Sequence, residues 1–161
     1  MQKQEKCVIA NTKELDKFDH AILDIVSTDG RVSITELASR IGLSKTPCQA
    51  RLRRLEAEGY ILGYRAQLDP VKMGRDHVAF VEVKLSDTRA KALSAFNTAV
   101  LKIPEIEQCH MIAGGFDYLL KVRTSDIGEY RWVMGEKISA LPHVAHTSTF
   151  VAMEAVREGP A

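Results

Sequence analysis

Two hydrophobic periods divide this chain, and the change between them constrains its fold more than any other feature. From Leu15 to Gly59 apolar residues recur at helical spacing in short runs broken by glycine; from His77 the next apolar run alternates with a period of two. A chain that changes period in this way builds a helical unit first and a mixed unit second. Its 161 residues give room for two small units, each of which gains from support by partner chains.

The helical part is punctuated clearly. Leu15, Phe18, Ile22, Leu23, Ile25 and Val26 share one stripe, and Asp16 and Asp19 sit early, where a helix dipole favours carboxylates. Asp29-Gly30 stops this helix. Ser33 with Glu36 three residues later has the pattern of a capping box, and Leu37, Ala38 and Ile41 line the second helix until Gly42. Ser44 is a good N-cap for a third helix, Pro47 falls in its first turn, and Gly59 closes it. Tyr60-Ile61-Leu62 and Tyr64 to Leu68 flank Gly63 and read as a small β-ribbon, or wing. The expected organisation is a tail over residues 1–14, a head over 15–69, a linker over 70–76 and a body over 77–157.

In the body, Ala79, Val81, Val83 and Leu85 alternate along a strand. Arg89 to Leu101 turns helical, with Leu93, Phe96 and Val100 on one stripe. Glu105 to Ala113 returns to strand, Gly114-Gly115 turns, and Asp117 to Arg123 forms the next strand. Asp126 to Leu141 is a helix with Ile127, Tyr130, Met134 and Ile138 in register; Pro142 ends it, and Val144 to Met153 is the last strand. The fold class is therefore α+β: a winged helix-turn-helix, then a ferredoxin-like βαββαβ sandwich with its helices on one face of an antiparallel sheet.

The third helix carries the chemistry of the head. At 100° per residue, Cys48, Leu52 and Leu55 cluster on one side, while Thr46, Gln49, Ala50, Arg53 and Arg54 fall on the other. Arg51 lies at the boundary, within reach of a phosphate. Between Ser44 and Leu55 there are four cations (Lys45, Arg51, Arg53 and Arg54) and no anion. Such a face suits a major groove: arginine binds guanine bidentately, glutamine binds adenine, and Ala50 and the Thr46 methyl fit thymine methyls. Ser44 and the helix N-terminus suit a phosphate, and Arg65 beside the wing tip suits the DNA backbone.

Other chemistries find little support. The formal net charge of +1 excludes a uniformly basic coat, although a local stripe can still mark a phosphate-contacting surface. Cys7, Cys48 and Cys109 are odd in number and form no CxxC or zinc spacing, the pattern of reduced cytoplasmic thiols; Cys48 lies on the apolar stripe and reads as core. His110, His143 and His146 match no metal motif. No phosphate loop, nucleophile elbow or HExxH sequence appears, so neither an enzyme nor a cofactor is expected. No apolar run approaches membrane-spanning length.

Several separated motifs resemble one family. Leu15-Asp16-Lys17-Phe18-Asp19 through Ile22-Leu23 and Asp29-Gly30-Arg31 resembles the opening of the Lrp/AsnC (feast/famine) regulators. Leu43 to Cys48 followed by Arg51-Leu52-Arg53-Arg54-Leu55-Glu56 is similar to their recognition helix, and Gly59-Tyr60-Ile61 with Gly63-Tyr64 continues the match. In the body the likeness runs through Phe96-Asn97, Cys109-His110, Gly114, Phe116 to Lys121, Tyr130-Arg131, Leu141-Pro142, Val151 and Met153-Glu154. It spans residues 15–155, and the segments 109–114 and 143–147 are most similar to regulators of proline catabolism.

The resemblance implies a DNA-binding regulator of amino-acid metabolism. It implies homodimers that pair their body sheets and assemble into octamers, and an amino-acid effector, here proline or another small amino acid, held near Gly114–Asp117. Gly115 stands where many leucine-responsive relatives carry an acid, so leucine does not carry over. Within such a site Asp117 suits the effector's ammonium, backbone N–H groups at Gly114 and Gly115 its carboxylate, and Thr147, Ser148 and Thr149 offer hydroxyls. The alternative is an architectural protein of the nucleoid that bends DNA with little effector response.

Overall fold

The structure, a computed structural model, describes residues 14–157. Apart from Glu14, the expected tail lies outside the described residues, as does Cys7. The chain divides into two compact units between Ala66 and Gln67.

The first unit holds α1 (Lys17–Thr28), α2 (Ile34–Ile41) and α3 (Lys45–Ala57). Ile22, Leu37, Ala38, Cys48 and Leu55 form its buried centre, with Leu15, Leu23, Val26, Leu43 and Leu52 among those packed around it. Gly42 takes a left-handed conformation (φ 71°, ψ 32°) and turns the chain sharply from α2 to α3. The reciprocal capping box lies not at Ser33 but at Asp16: its side chain accepts from the Phe18 and Asp19 N–H groups, and Asp19 answers by accepting from the Asp16 N–H. Ser33 accepts from Glu36 N–H, but Glu36 itself pairs with Arg40 one turn on.

The expected β-ribbon is corrected. No strand forms among residues 58–76. Instead Tyr64 folds back onto its own unit: its hydroxyl donates to Glu56 at 2.9 Å, and its ring closes against Gly30, where an added Cβ would sit 3.2 Å from Cδ1. Burial and the Glu56 carboxylate push the Tyr64 phenol up to about 12. Within the expected linker, residues 69–75 form a hydrogen-bonded turn, in which Asp69 accepts from Val71 and Lys72 N–H and Pro70 C=O from Arg75 N–H.

The second unit runs β1 (His77–Leu85), α4 (Ala90–Val100), β2 (Ile106–Met111), β3 (Tyr118–Thr124), α5 (Ile127–Trp132) and β4 (Val144–Val151). The four strands form one antiparallel sheet in the order β2-β3-β1-β4. Alternation along β1 buries Ala79, Val81, Val83 and Leu85 on the helix side, joined by Leu120 and Val122 of β3 and by Phe96 and Val100 of α4. Phe96 and Tyr118 stack with ring centroids 4.4 Å apart.

α5 departs from its expected regular course. It continues as a π-helical turn over Val133–Ile138, closed by Ser139 N–H donating to Met134 C=O. The wider turn brings Val133 and Ile138, five residues apart, into the core, while Ile127 at the start stays exposed.

Candidate nucleic-acid interface and effector site

α3 has one greasy face and one polar face. Cys48 and Leu55 are fully buried, and burial raises the Cys48 thiol pKa. Lys45, Thr46, Gln49, Ala50 and Arg53 are exposed on the outward side, and Arg53 forms no ion pair among the described residues. Ser44 holds the N-cap position in extended conformation, but its hydroxyl makes no capping bond, which leaves it and the first-turn N–H groups open to an anion. Arg65 is exposed in the segment without strand structure.

Arg54 requires a correction. It does not share the outward face; it turns along the helix flank to α1, where its Nη2 lies 2.6 Å from Asp19 Oδ2, with Glu58 at 3.9 Å. Arg51 turns the same way, its Nη1 2.7 Å from Asp16 Oδ2 and 2.9 Å from Asp19 Oδ1, and its guanidinium lies over the Phe18 ring. Asp19 is only 1% exposed, and it binds both arginines and the Asp16 N–H at once. Burial would raise its pKa, but the Asp16 N–H and the two guanidiniums outweigh burial, and the carboxyl lies below the ordinary aspartate value. Asp16 is shifted in the same direction.

This pairing tightens the head in a way the sequence reading missed. A carboxylate buried in a small apolar unit is stable only with a cation beside it. Asp19 falls on the same stripe as Leu15, Phe18 and Ile22, so its inward position was signalled by spacing alone.

The residues expected to hold an effector are only partly brought together. Gly114 and Gly115 are exposed between β2 and β3, and neither has a positive φ. A Cβ at Gly115 would meet nothing within 4 Å. The local fold therefore does not demand glycine there. Asp117 stands at the end of this turn, its Oδ2 accepting from Leu85 N–H at 2.8 Å and its Oδ1 3.3 Å from Lys84 Nζ. Its own N–H donates to Val83 C=O, which ties the turn to the end of β1.

Thr147 pairs with Val83 across β1 from this turn, two strand spacings from β3, or about 10 Å. Thr149 is exposed overall, but its hydroxyl turns to the helix side, 2.6 Å from that of Tyr130. Ser148 points to the opposite face, beside His146. Gly114, Gly115 and Asp117 thus form one cluster, Thr147 borders the same end of β1, and Ser148 and Thr149 are directed elsewhere.

Among the described residues no group of histidine, cysteine and acidic side chains is placed to hold a metal ion, and no helix is long and apolar enough to cross a membrane.

Comparison with known proteins agrees with this architecture. Residues 15–61 match a winged helix-turn-helix DNA-binding family, and residues 78–161 match the Lrp/AsnC ligand binding domain. A proline dehydrogenase transcriptional activator of Rhizobium radiobacter is 67% identical over 147 residues, covering 91% of this chain and 94% of the relative. A protein of the same name from Rhodobacter capsulatus is 60% identical over 147 residues, covering 91% and 96%. The crystal structure of a transcriptional regulator from Neisseria meningitidis in complex with L-methionine superposes with a TM-score of 0.85 at 28% identity, covering 90% of this chain and 94% of that one. With both halves matched in order and near full length, the chain belongs to the Lrp/AsnC family of transcription regulators, proteins that bind DNA and are not enzymes.

Proposed function

We propose that this regulator reads DNA through Thr46, Gln49, Ala50 and Arg53, and that proline sets its activity. The observation that carries the first part is the free outward face of α3 over a fully buried inner face. Arg53 and Gln49 supply the bidentate donors and acceptors that distinguish base pairs; Ser44, Lys45 and Arg65 contact phosphates and fix register. Two heads of a homodimer occupy successive major grooves of a near-palindromic site, and the dimers assemble into octamers in the cytoplasm.

Proline as effector is supported by the names of two relatives, 67% and 60% identical, each a proline dehydrogenase transcriptional activator. It is also supported by the open space at Gly115 beside an aspartate. Proline's secondary ammonium has only two N–H donors, so one carboxylate, that of Asp117, can satisfy it. An arriving ammonium competes with Lys84, whose contact at 3.3 Å is the looser of the two that Asp117 makes. Proline then shifts the equilibrium between assembly states only by binding one of them more tightly.

A thermal-shift series against the twenty amino acids tests this reading. Proline at a hundred times its dissociation constant is expected to stabilise the protein by about 2.7 kcal/mol. Asp117→Ala is expected to abolish that shift while affinity for DNA survives. Because the variant also leaves the Leu85 N–H without its acceptor, its own melting point falls by the equivalent of about 1–3 kcal/mol. A proline shift that persists in Asp117→Ala removes this carboxylate from the site.

A further inference from the structure

We infer that Asp19, aided by Asp16, limits the charge-driven affinity of the head for DNA by withholding Arg51 and Arg54 from the phosphate backbone. The inference rests on the reading of α3 as the groove-facing helix. Four cations lie between Ser44 and Leu55, and each one that neutralises a phosphate adds affinity for every DNA sequence alike. Two of the four are matched by carboxylates of α1, Arg51 by Asp16 and Asp19, and Arg54 by Asp19. Only Lys45 and Arg53 remain as cations of this helix without an ion pair among the described residues.

Position makes the withholding effective. Asp19 is buried, so salt screens its pairs far less than it screens contacts at the surface. The two guanidiniums are about a quarter exposed (27% and 24%) and border a hollow of about 310 Å³ with Pro47 and Ala50, on the flank next to the outward face. Released, they could reach a phosphate; held, they leave discrimination to the residues that touch base edges. The carboxylates thereby lower the charge-driven share of binding, which is the whole of binding to random DNA and only a part of binding to the operator.

The test is the salt dependence of binding by the full-length protein to a random-sequence duplex of about thirty base pairs, a length that spans two half-sites one helical turn apart. Asp16→Asn keeps α1 intact, since asparagine caps a helix as well as aspartate does, and removes one charge from Arg51. Because Asp19 still holds Arg51 in part, this variant is expected to steepen the slope of log affinity against log salt by up to about 0.9 per head, so that affinity changes up to roughly three-fold more per head, or about twelve-fold for two heads, between 50 and 200 mM salt. Asp19→Asn, which loosens both arginines, is expected to steepen the slope about twice as much.

An unchanged slope in Asp16→Asn and in folded Asp19→Asn overturns the proposal, because the carboxylates then serve structure alone. A shallower slope overturns it too, since the aspartates would then be aiming the arginines at phosphates. Should Asp19→Asn fail to fold, Asp16→Asn decides the matter. Arg53→Ala in the same series keeps the two readings apart. Weaker binding keeps the α3 face on the DNA whatever the aspartate variants do. Unchanged binding on random and promoter DNA alike withdraws that face, and this proposal with it.

Discussion

Asp19→Ala is expected to unfold the head while leaving the body folded. The substitution removes the one buried carboxylate that two guanidiniums and a backbone N–H share. Breaking a fully buried pair costs about 3–5 kcal/mol, and because Arg51 and Arg54 keep partial contact with water the loss here is at the lower end, about 2–4 kcal/mol. A unit of this size is stable by only a few kcal/mol, of order 0.1 kcal/mol per residue. The loss is therefore a large share of what holds it together. Hydrogen exchange resolved by segment checks the outcome: amides of α1 to α3 lose protection, and those of the β1–β4 sheet keep it.

The same carboxylate makes the head sensitive to acid. Its folded pKa lies below the unfolded value, so its stabilisation is complete above about pH 4 and is lost as pH falls through the lowered value. The melting temperature of the parent head is expected to drop as the pH falls below about 4, and Asp19→Asn, the milder substitution, to lack that portion of the acid limb.

Arg53→Ala should cost about 1–3 kcal/mol on the operator, a roughly 5- to 150-fold loss of affinity, and much less on random DNA. Arg53 is exposed and carries no ion pair among the described residues, so removing it leaves the head's packing untouched. Circular dichroism and melting should match the parent, which distinguishes this variant from Asp19→Ala. Equal loss on operator and random DNA would reduce Arg53 to a phosphate contact.

The two arginine roles show where sequence reading stops. A helical wheel ranks positions around one helix, and by that measure Arg54 joins Arg53 on the polar arc. Which edge of that arc meets a neighbouring helix depends on the packing of α1 against α3, and Asp19 supplies the partner only once the two are docked. Strand β1 was legible to the residue because alternation is a property of one segment alone. The hairpin after Gly59 was not, since Tyr64 contacts Glu56 nearby and Gly30, which is distant in sequence. The π-helical turn escaped for a similar reason: Met134 and Ile138 fit an ordinary helix on paper, and burial of Val133 with Ile138 decides the wider turn. Gly114, Gly115 and Asp117, expected to share an effector site, lie together through chain proximity, but proximity along β4 hid the fact that Thr147, Ser148 and Thr149 face alternate sides.

If α3 lies in the major groove, methylation of guanine N7 by dimethyl sulfate detects it directly, because N7 is exposed in that groove and nowhere else. With the protein saturating its operator, guanines are expected to be protected in two patches about one helical turn apart, with protection at one guanine per half-site relieved in Arg53→Ala. Guanines that stay fully reactive under saturating protein would contradict the account, since no recognition helix would then occupy the groove.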